Sequence, residues 1–198
     1  MPTKVFLELD NEKKERIVSA ALREFAEYGY DNSSTNRIVK NCGISKGSLF
    51  KYFESKEELY FWLIETVSAE MAQDMALSTE LPVGLTDRIK AYSAAEISWY
   101  IEHPEKGSFM TGIVSERGEI YEKLTEKYGT QGREIYEALL YGADMSGIKH
   151  GREDVLTVIR WVLEGFKREF EAVGDTAKLK EEYLSRLDKY MEILEKGL

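Results

Sequence analysis

Apolar residues recur along most of this chain at intervals of three and four, the period of a helix with one buried face. Ile17, Ala20, Ala21, Phe25 and Tyr28 mark a first helix from about Glu12 to about Tyr28, and Gly29 stands where a left-handed C-terminal cap is wanted. Ser34 is a good N-cap for a short second helix with Ile38 and Cys42 on one face, and Gly43 ends it. Ser45 caps a third short helix that carries Leu49, Phe50 and Phe53. Ser55, with Glu58 at the capping-box spacing, opens a fourth helix through Leu59, Leu63 and Val67 to about Ser78. Leu81-Pro82-Val83-Gly84 breaks the pattern, and a fifth helix then reaches about Glu102. After His103-Pro104, Gly107, Gly112, Gly118, Gly129 and Gly132 punctuate the chain, which predicts two or three shorter helices up to about Tyr141. Gly142 to Gly151 reads as a loop. Two long helices close the chain, from about Glu153 to Ala172 and from about Thr176 to Glu195. Proline is absent after Pro104, and no alternating run of strand length occurs, so the chain reads as all-α.

Composition adds that 198 residues, 43% hydrophobic and 32% charged, can bury a sizeable core in one domain or two small ones. The single cysteine, Cys42, rules out an intramolecular disulfide and fits a reducing cytoplasm. Its place on the apolar face of the second helix reads as packing. The longest uncharged run, Gly107 to Ser115, is far shorter than the ~20 residues of a membrane span, so no membrane partner is expected. Acid at Glu8 comes too early for a signal peptide.

A net charge of −9 argues at first against nucleic acid, which needs clustered Lys and Arg. The charge is uneven, however. Residues 1–56 carry 10 basic and 8 acidic residues, and the remainder carries 17 and 28. From Arg37 to Phe53 every charge is positive: Arg37, Lys40, Lys46 and Lys51. Salt screens charges beyond about 10 Å, so such a stretch can bind phosphate on an acidic protein.

The same stretch, Ser34 to Phe53, is helix, Gly43-Ile44-Ser45 turn, helix. That is the helix-turn-helix plan, whose second helix enters the major groove. Ile38, Cys42, Ile44 and Leu49 suit the packing between the two helices. Lys46, Gly47 and Ser48 form the first turn of the second, where backbone N–H groups are free for a phosphate. Gly47 permits close approach, and Ser48 suits a base edge. Lys51 and Tyr52 follow one turn later. Ser34 and Thr35 at the start of the first helix, and Lys56 beyond the second, are further phosphate candidates; phosphate contacts set register and base contacts specify.

The segments Lys14-Glu15-Arg16-Ile17-Val18-Ser19-Ala20-Ala21-Leu22-Arg23-Glu24-Phe25-Ala26-Glu27-Tyr28-Gly29-Tyr30, Gly43-Ile44-Ser45-Lys46-Gly47-Ser48-Leu49-Phe50-Lys51-Tyr52-Phe53 and Ser55-Lys56-Glu57-Glu58-Leu59 together resemble the TetR family of transcriptional regulators. The resemblance covers the first 60 or so residues. It implies a three-helix DNA-binding domain over residues 1–56 and a helical ligand-binding and dimerisation domain over 57–198. It also implies a homodimer that represses transcription from a palindromic double-stranded DNA operator and is released by a small apolar or amphipathic effector. No enzyme activity and no cofactor or metal are implied. Matched to the family motif, Ser34, Thr35, Lys46, Gly47, Ser48, Tyr52 and Lys56 are DNA contacts, with Asn36 a candidate base reader and Lys51 beside them. Phe50 stands where the family usually has tyrosine, Arg37 where an acid is common, and Val39 where alanine is usual.

The last two helices repeat apolar residues as Val155, Ile159, Val162, Phe166, Phe170 and as Leu179, Tyr183, Leu187, Tyr190, Leu194, and these stripes, Phe170 aside, are the expected dimer interface. Val158, Trp161, Leu163, Leu184, Met191 and Ile193 widen the stripes, and helices apolar on more than one side need a second surface. Meeting their copies, two such helices make an isologous four-helix bundle. Tyr92, Glu96, Trp99, Phe109, Met110, Tyr136, Trp161 and Phe166 are candidate effector contacts, given that ligand sites are apolar with a few polar groups. Ser146-Gly147-Ile148-Lys149 matches Ser-x-x-Lys but lacks the partner motifs of a serine hydrolase. Two other classes share this composition: a helical enzyme or carrier with a vestigial head, and a protein-interaction module using the acidic body. Salt-dependent retention on random duplex DNA separates both from a DNA-binding regulator.

Overall fold

Short polar side chains start several of the helices. Asp10 accepts the Lys13 amide at 2.8 Å, Ser45 accepts the Ser48 amide at 3.0 Å, and Ser55 accepts the Glu58 amide at 3.0 Å. Glu58 reaches back to the Glu54 amide at 2.6 Å, one residue before the position that a capping box uses. A computed structural model describes residues 1–78, 82–146, 148–168 and 176–197, without the side chains of 76–78, 130–136, 139–140, 167–168, 176–179 and 197. The helices are α1 Lys4–Leu7, α2 Asn11–Asn32, α3 Thr35–Cys42, α4 Lys46–Tyr52, α5 Lys56–Ser78, α6 Leu85–Glu102, α7 Pro104–Val114, α8 Gly118–Leu140, α9 Arg152–Arg168 and α10 Thr176–Gly197. Among the described residues there is no strand, only an isolated backbone bridge between Gly84 and Asp144. No helix among them is long and apolar enough to cross a membrane.

Three features differ from the sequence expectation. The short α1 precedes the first expected helix. The stretch after Pro104 forms two helices, within the expected number, but α8 is not short: it runs 23 residues through Gly129 and Gly132. A mid-helix glycine costs only about 1 kcal/mol, which packing outweighs. Gly29 has the expected positive φ, 66°, but its ψ of 179° is extended, so it kinks α2 rather than capping it.

The chain divides into two compact units: Met1–Asp74 with His103–Tyr121, and Met75–Glu102 with Glu122–Leu198. This division cuts across the boundary expected at Lys56, because most of α5 and all of α7 group with the head.

In the first unit, α2 and α7 pack side by side. Ser19 donates to Glu105 at 2.6 Å and the Tyr30 amide donates to Glu116 at 2.7 Å, each pair 86 residues apart. Equal separations at both ends mean that the two helices run parallel. Arg23 adds a second bond to Glu105 at 2.8 Å, and Tyr60 a second to Glu116 at 3.0 Å. Burial, together with the Glu116 carboxylate, pushes the Tyr60 phenol far above its ordinary pKa, so it stays a donor. Phe25, Tyr60 and Phe109 meet with ring centroids 4.8 to 6.2 Å apart and form the middle of this core.

The second unit is built on α6, α9 and α10. Val155, Ile159 and Phe166 from α9 meet Tyr183, Leu187 and Met191 from α10 and Leu85, Ile89 and Ile97 from α6 in one buried cluster. This corrects the dimer expectation: Val155, Ile159, Phe166, Tyr183 and Leu187 are buried within a single chain, with Val162, Tyr190 and Leu194 packed against them. The stripe already has a partner in α6. Of the widening set, Leu163 and Met191 are buried in the same cluster and Leu184 packs against it, whereas Trp161 is 65% and Ile193 58% exposed. Phe170 and the Leu179 side chain lie outside the described residues.

Candidate nucleic-acid interface

The helix-turn-helix forms because each of its ends is chemically specified. Gly43 takes the left-handed conformation (φ 70°, ψ 34°) that closes α3, and the Ile44 amide returns to the Val39 carbonyl at 3.0 Å. Ser45 then starts α4. Ile38, Cys42 and Leu49 are buried between the helices, and Ile44 is half-buried. Burial pushes the Cys42 thiol up, as suits a packed residue rather than a reactive one. Ser34 flanks α3 as expected, but its side chain makes no cap bond. Its backbone N–H instead donates to the buried Glu24 carboxylate at 2.6 Å.

That carboxylate also changes the charge picture. Arg37 pairs with Glu24, with Nη2 2.6 Å from the carboxylate and Nε donating to it at 2.9 Å; Nη2 donates to the Asn32 carbonyl, and the guanidinium lies 4.1 Å over the Tyr28 ring. Arg37 is therefore a strut between α2 and α3. The all-positive run reduces to Lys40, Lys46 and Lys51, which are exposed and enter no ion pair among the described residues. Asn36, Ser45 and Gly47 are exposed beside them, and Ser34, Thr35 and Ser48 are half-buried. Of the first-turn amides of α4, that of Ser48 is taken by its own cap. Phe50 is 42% exposed, with the Lys46 ammonium 6.0 Å from its ring.

Two expected contacts are placed differently. Tyr52 is only 5% exposed, held between the Phe6 ring at 5.9 Å and the Lys13 ammonium at 5.9 Å. Its bulk seats the C-terminal turn of α4 and is not displayed outward. Lys56 turns inward: its Nζ donates to the carbonyls of Tyr30 at 2.6 Å and Ser33 at 3.3 Å and lies 4.3 Å over the Tyr30 ring. A cation is favoured at the negative end of a helix, and Lys56 adds its charge to a Tyr30 carbonyl that the Ser33 amide and hydroxyl also meet.

Residues 3–7, which carry no helical periodicity in the sequence, brace α4. The Thr3 amide donates to the Tyr52 carbonyl at 2.9 Å, and the Thr3 hydroxyl to the Lys51 carbonyl at 2.8 Å. Phe6 is buried against Phe53 at 4.8 Å and Trp62 at 5.1 Å. The local signal was the apolar pair Phe6-Leu7, too short for a periodicity.

The candidate effector contacts are divided between the two units. Phe109 and Met110 belong to the first unit, where Phe109 is core. Tyr92, Glu96 and Trp99 lie on α6 in the second unit, Glu96 buried and accepting from Tyr100 at 3.4 Å. Phe166 packs on Tyr183 at 4.7 Å and Trp161 faces outward. The Tyr136 side chain lies outside the described residues.

Residues 17–61 match the family model of bacterial regulatory proteins, tetR family. Over 179 residues, 84% of this chain and 85% of the relative, the chain is 28% identical to the HTH-type transcriptional repressor AcnR of Corynebacterium diphtheriae. It is 47% identical over 49 residues to the HTH-type transcriptional regulator YerO of Bacillus subtilis, a stretch that spans 17% of that relative. The fold is shared with a TetR family transcriptional regulator from Chloroflexus aurantiacus: TM-score 0.73, 21% identity, covering 100% of this chain and 98% of that one. It is shared also with the transcriptional regulator FadR of Bacillus subtilis, solved in complex with stearoyl-CoA, at TM-score 0.61 and 17% identity over 87% and 96% of the two chains.

Proposed function

The chain belongs to the tetR family of bacterial regulatory proteins, and on that footing we propose that it is a homodimeric, ligand-responsive repressor. Its class is that of DNA-binding transcriptional regulators rather than enzymes. In the proposed mechanism α4 of each head enters the major groove of one half-site of a palindromic operator. Lys46, Gly47, Ser48 and Lys51 meet backbone and base edges, and Ser34, Thr35 and Asn36 hold the flanking strand. Tyr52 and Lys56 act on DNA only through the helices that they seat.

The observation that carries this reading is the exposed trio Lys40, Lys46 and Lys51 on a helix pair whose other cation, Arg37, is neutralised by Glu24. With so little positive charge per head, a pair of heads supplies the affinity. The unburied apolar residues of the last two helices, Trp161 and Ile193, with Val158 and Gly165 on the Trp161 face of α9, support pairing there in place of the buried stripe. The effector reading rests on the family and on FadR, whose solved complex holds stearoyl-CoA. An effector that prefers a body conformation with the heads wrongly spaced releases DNA by as much as its differential affinity allows.

Operators selected from random duplex DNA supply the test. In gel shifts Lys46→Ala weakens binding and lowers the salt slope by about 1, as for one lost phosphate contact. Tyr52→Phe changes affinity less than Lys46→Ala does. Unchanged affinity in Lys46→Ala and Lys51→Ala would remove α4 as the reading helix.

A further inference from the structure

The first unit contains a cavity of about 660 Å³, and none of the candidate effector residues lines it. Its walls are single helix faces. Lys14, Val18 and Leu22 come from α2 and Trp62, Thr66 and Glu70 from α5, each set at i, i+4 and i+8. Phe6 and Leu7 of α1 and the segment His103–Lys106 at the start of α7 complete it. The volume lies in the range of small-molecule sites, which are mostly apolar with a few placed polar groups.

The charges at the rim decide what kind of molecule fits. Glu70 is paired with Lys106, and Glu105 is held by Arg23 and Ser19. Glu15 stands exposed in solvent. Lys14 is half-buried beside the apolar wall and enters no ion pair among the described residues. We propose that this cavity binds a small amphipathic anion, its apolar body over Phe6, Val18, Leu22 and Trp62 and its acid group at Lys14. The proposal stands apart from operator binding and from any effector site in the second unit. Its regulatory interest is that α1, which lines the site, also holds the last carbonyls of α4 through Thr3.

Anilinonaphthalene sulfonate, an aromatic body with one anionic group, is the probe. The full chain is expected to bind it saturably, with energy transfer from Trp62 that Trp62→Phe removes and Trp99→Phe leaves in place. Lys14→Glu is expected to weaken binding on the order of tenfold, the size of one charge-assisted contact. Val18→Trp, which fills the cavity, is expected to abolish it. Thermal melts confirm that each variant is folded. Lys14→Glu, on the surface of α2, keeps the test decisive if Val18→Trp does not fold. Three outcomes overturn the proposal: binding unchanged in Lys14→Glu, energy transfer that follows Trp99 alone, or probe binding that falls as protein concentration rises, which would mean that a second copy of the chain fills the site.

Discussion

Both units use charged side chains to hold backbone near helix ends; beside the half-buried Lys56 of the first unit, the fully buried holders of the two units have opposite signs. In the first unit the holders are carboxylates: Glu24 accepts the amide of Ser34 at the start of α3, and Glu116 accepts that of Tyr30 just after the kink at Gly29. In the second unit the holder is the Arg88 guanidinium. It is 8% exposed and donates to the carbonyls of Pro82 at 2.7 Å, Gly142 at 3.3 Å and Tyr141. Helix starts leave amides without partners and helix ends leave carbonyls, so the sign of the buried group follows which end has to be held. The first unit must fix how α3 leaves α2, because the reading surface depends on that angle. The second must close the connection after α8 against the turn before α6, where the Asp144 amide also donates to the Val83 carbonyl at 2.7 Å.

The largest expected effect tests the carboxylate side. Glu24→Ala leaves a buried amide and an arginine without their acceptor, and it is expected to cost about 3 kcal/mol, the low end for a broken buried pair because Arg37 reaches water. Amide hydrogen exchange should show protection lost in the first unit well before the second; an equal loss in both would break the comparison. Arg88→Leu is expected to cost less, about 2 kcal/mol, because a carbonyl with an unfilled lone pair is better tolerated than an orphaned amide. Urea midpoints of the two variants rank them directly, and a larger loss in Arg88→Leu would reverse the assignment. The smallest effect is kinetic. Cys42, buried and with its thiol pKa raised, should react with iodoacetamide far more slowly in the native protein than in urea, and faster again in Glu24→Ala. Native labelling as fast as unfolded labelling would show that the seat between α3 and α4 is loose.

Sequence alone disclosed what depends on neighbouring residues. The left-handed Gly43, the Ser45 and Ser55 caps and the packing of Ile38, Cys42 and Leu49 are local chemistry, and each is found where its residue type requires. Pairings across long separations were not legible. Nothing near Arg37 announces that Glu24, 13 residues earlier, cancels its charge. Nothing near Lys56 says that its ammonium turns toward carbonyls some 25 residues back. The apolar stripes of α9 and α10 were visible, but a stripe states only that a face is buried; α6 of the same chain covers it. Helix α1 has four residues and owes its existence to docking Phe6 on Phe53 and Trp62, a cause that no local pattern carries.

The parallel pairing of α2 with α7 also fixes an order of assembly during synthesis. A nascent chain that has emerged as far as Asp74 already holds all the residues of the helix-turn-helix, yet the acceptors for the Tyr30 amide and the Tyr60 hydroxyl have not been made. The first 28 residues of the other unit, Met75–Glu102, must be translated before His103–Tyr121 arrives to complete the first. Contacts that join distant stretches of chain form late, after the entropy of closing the loop has been met. The helix-turn-helix segment therefore waits for residues as far as Glu116 before it reaches its final rigidity, and the second unit, whose core draws on residues up to Met191, is completed later still.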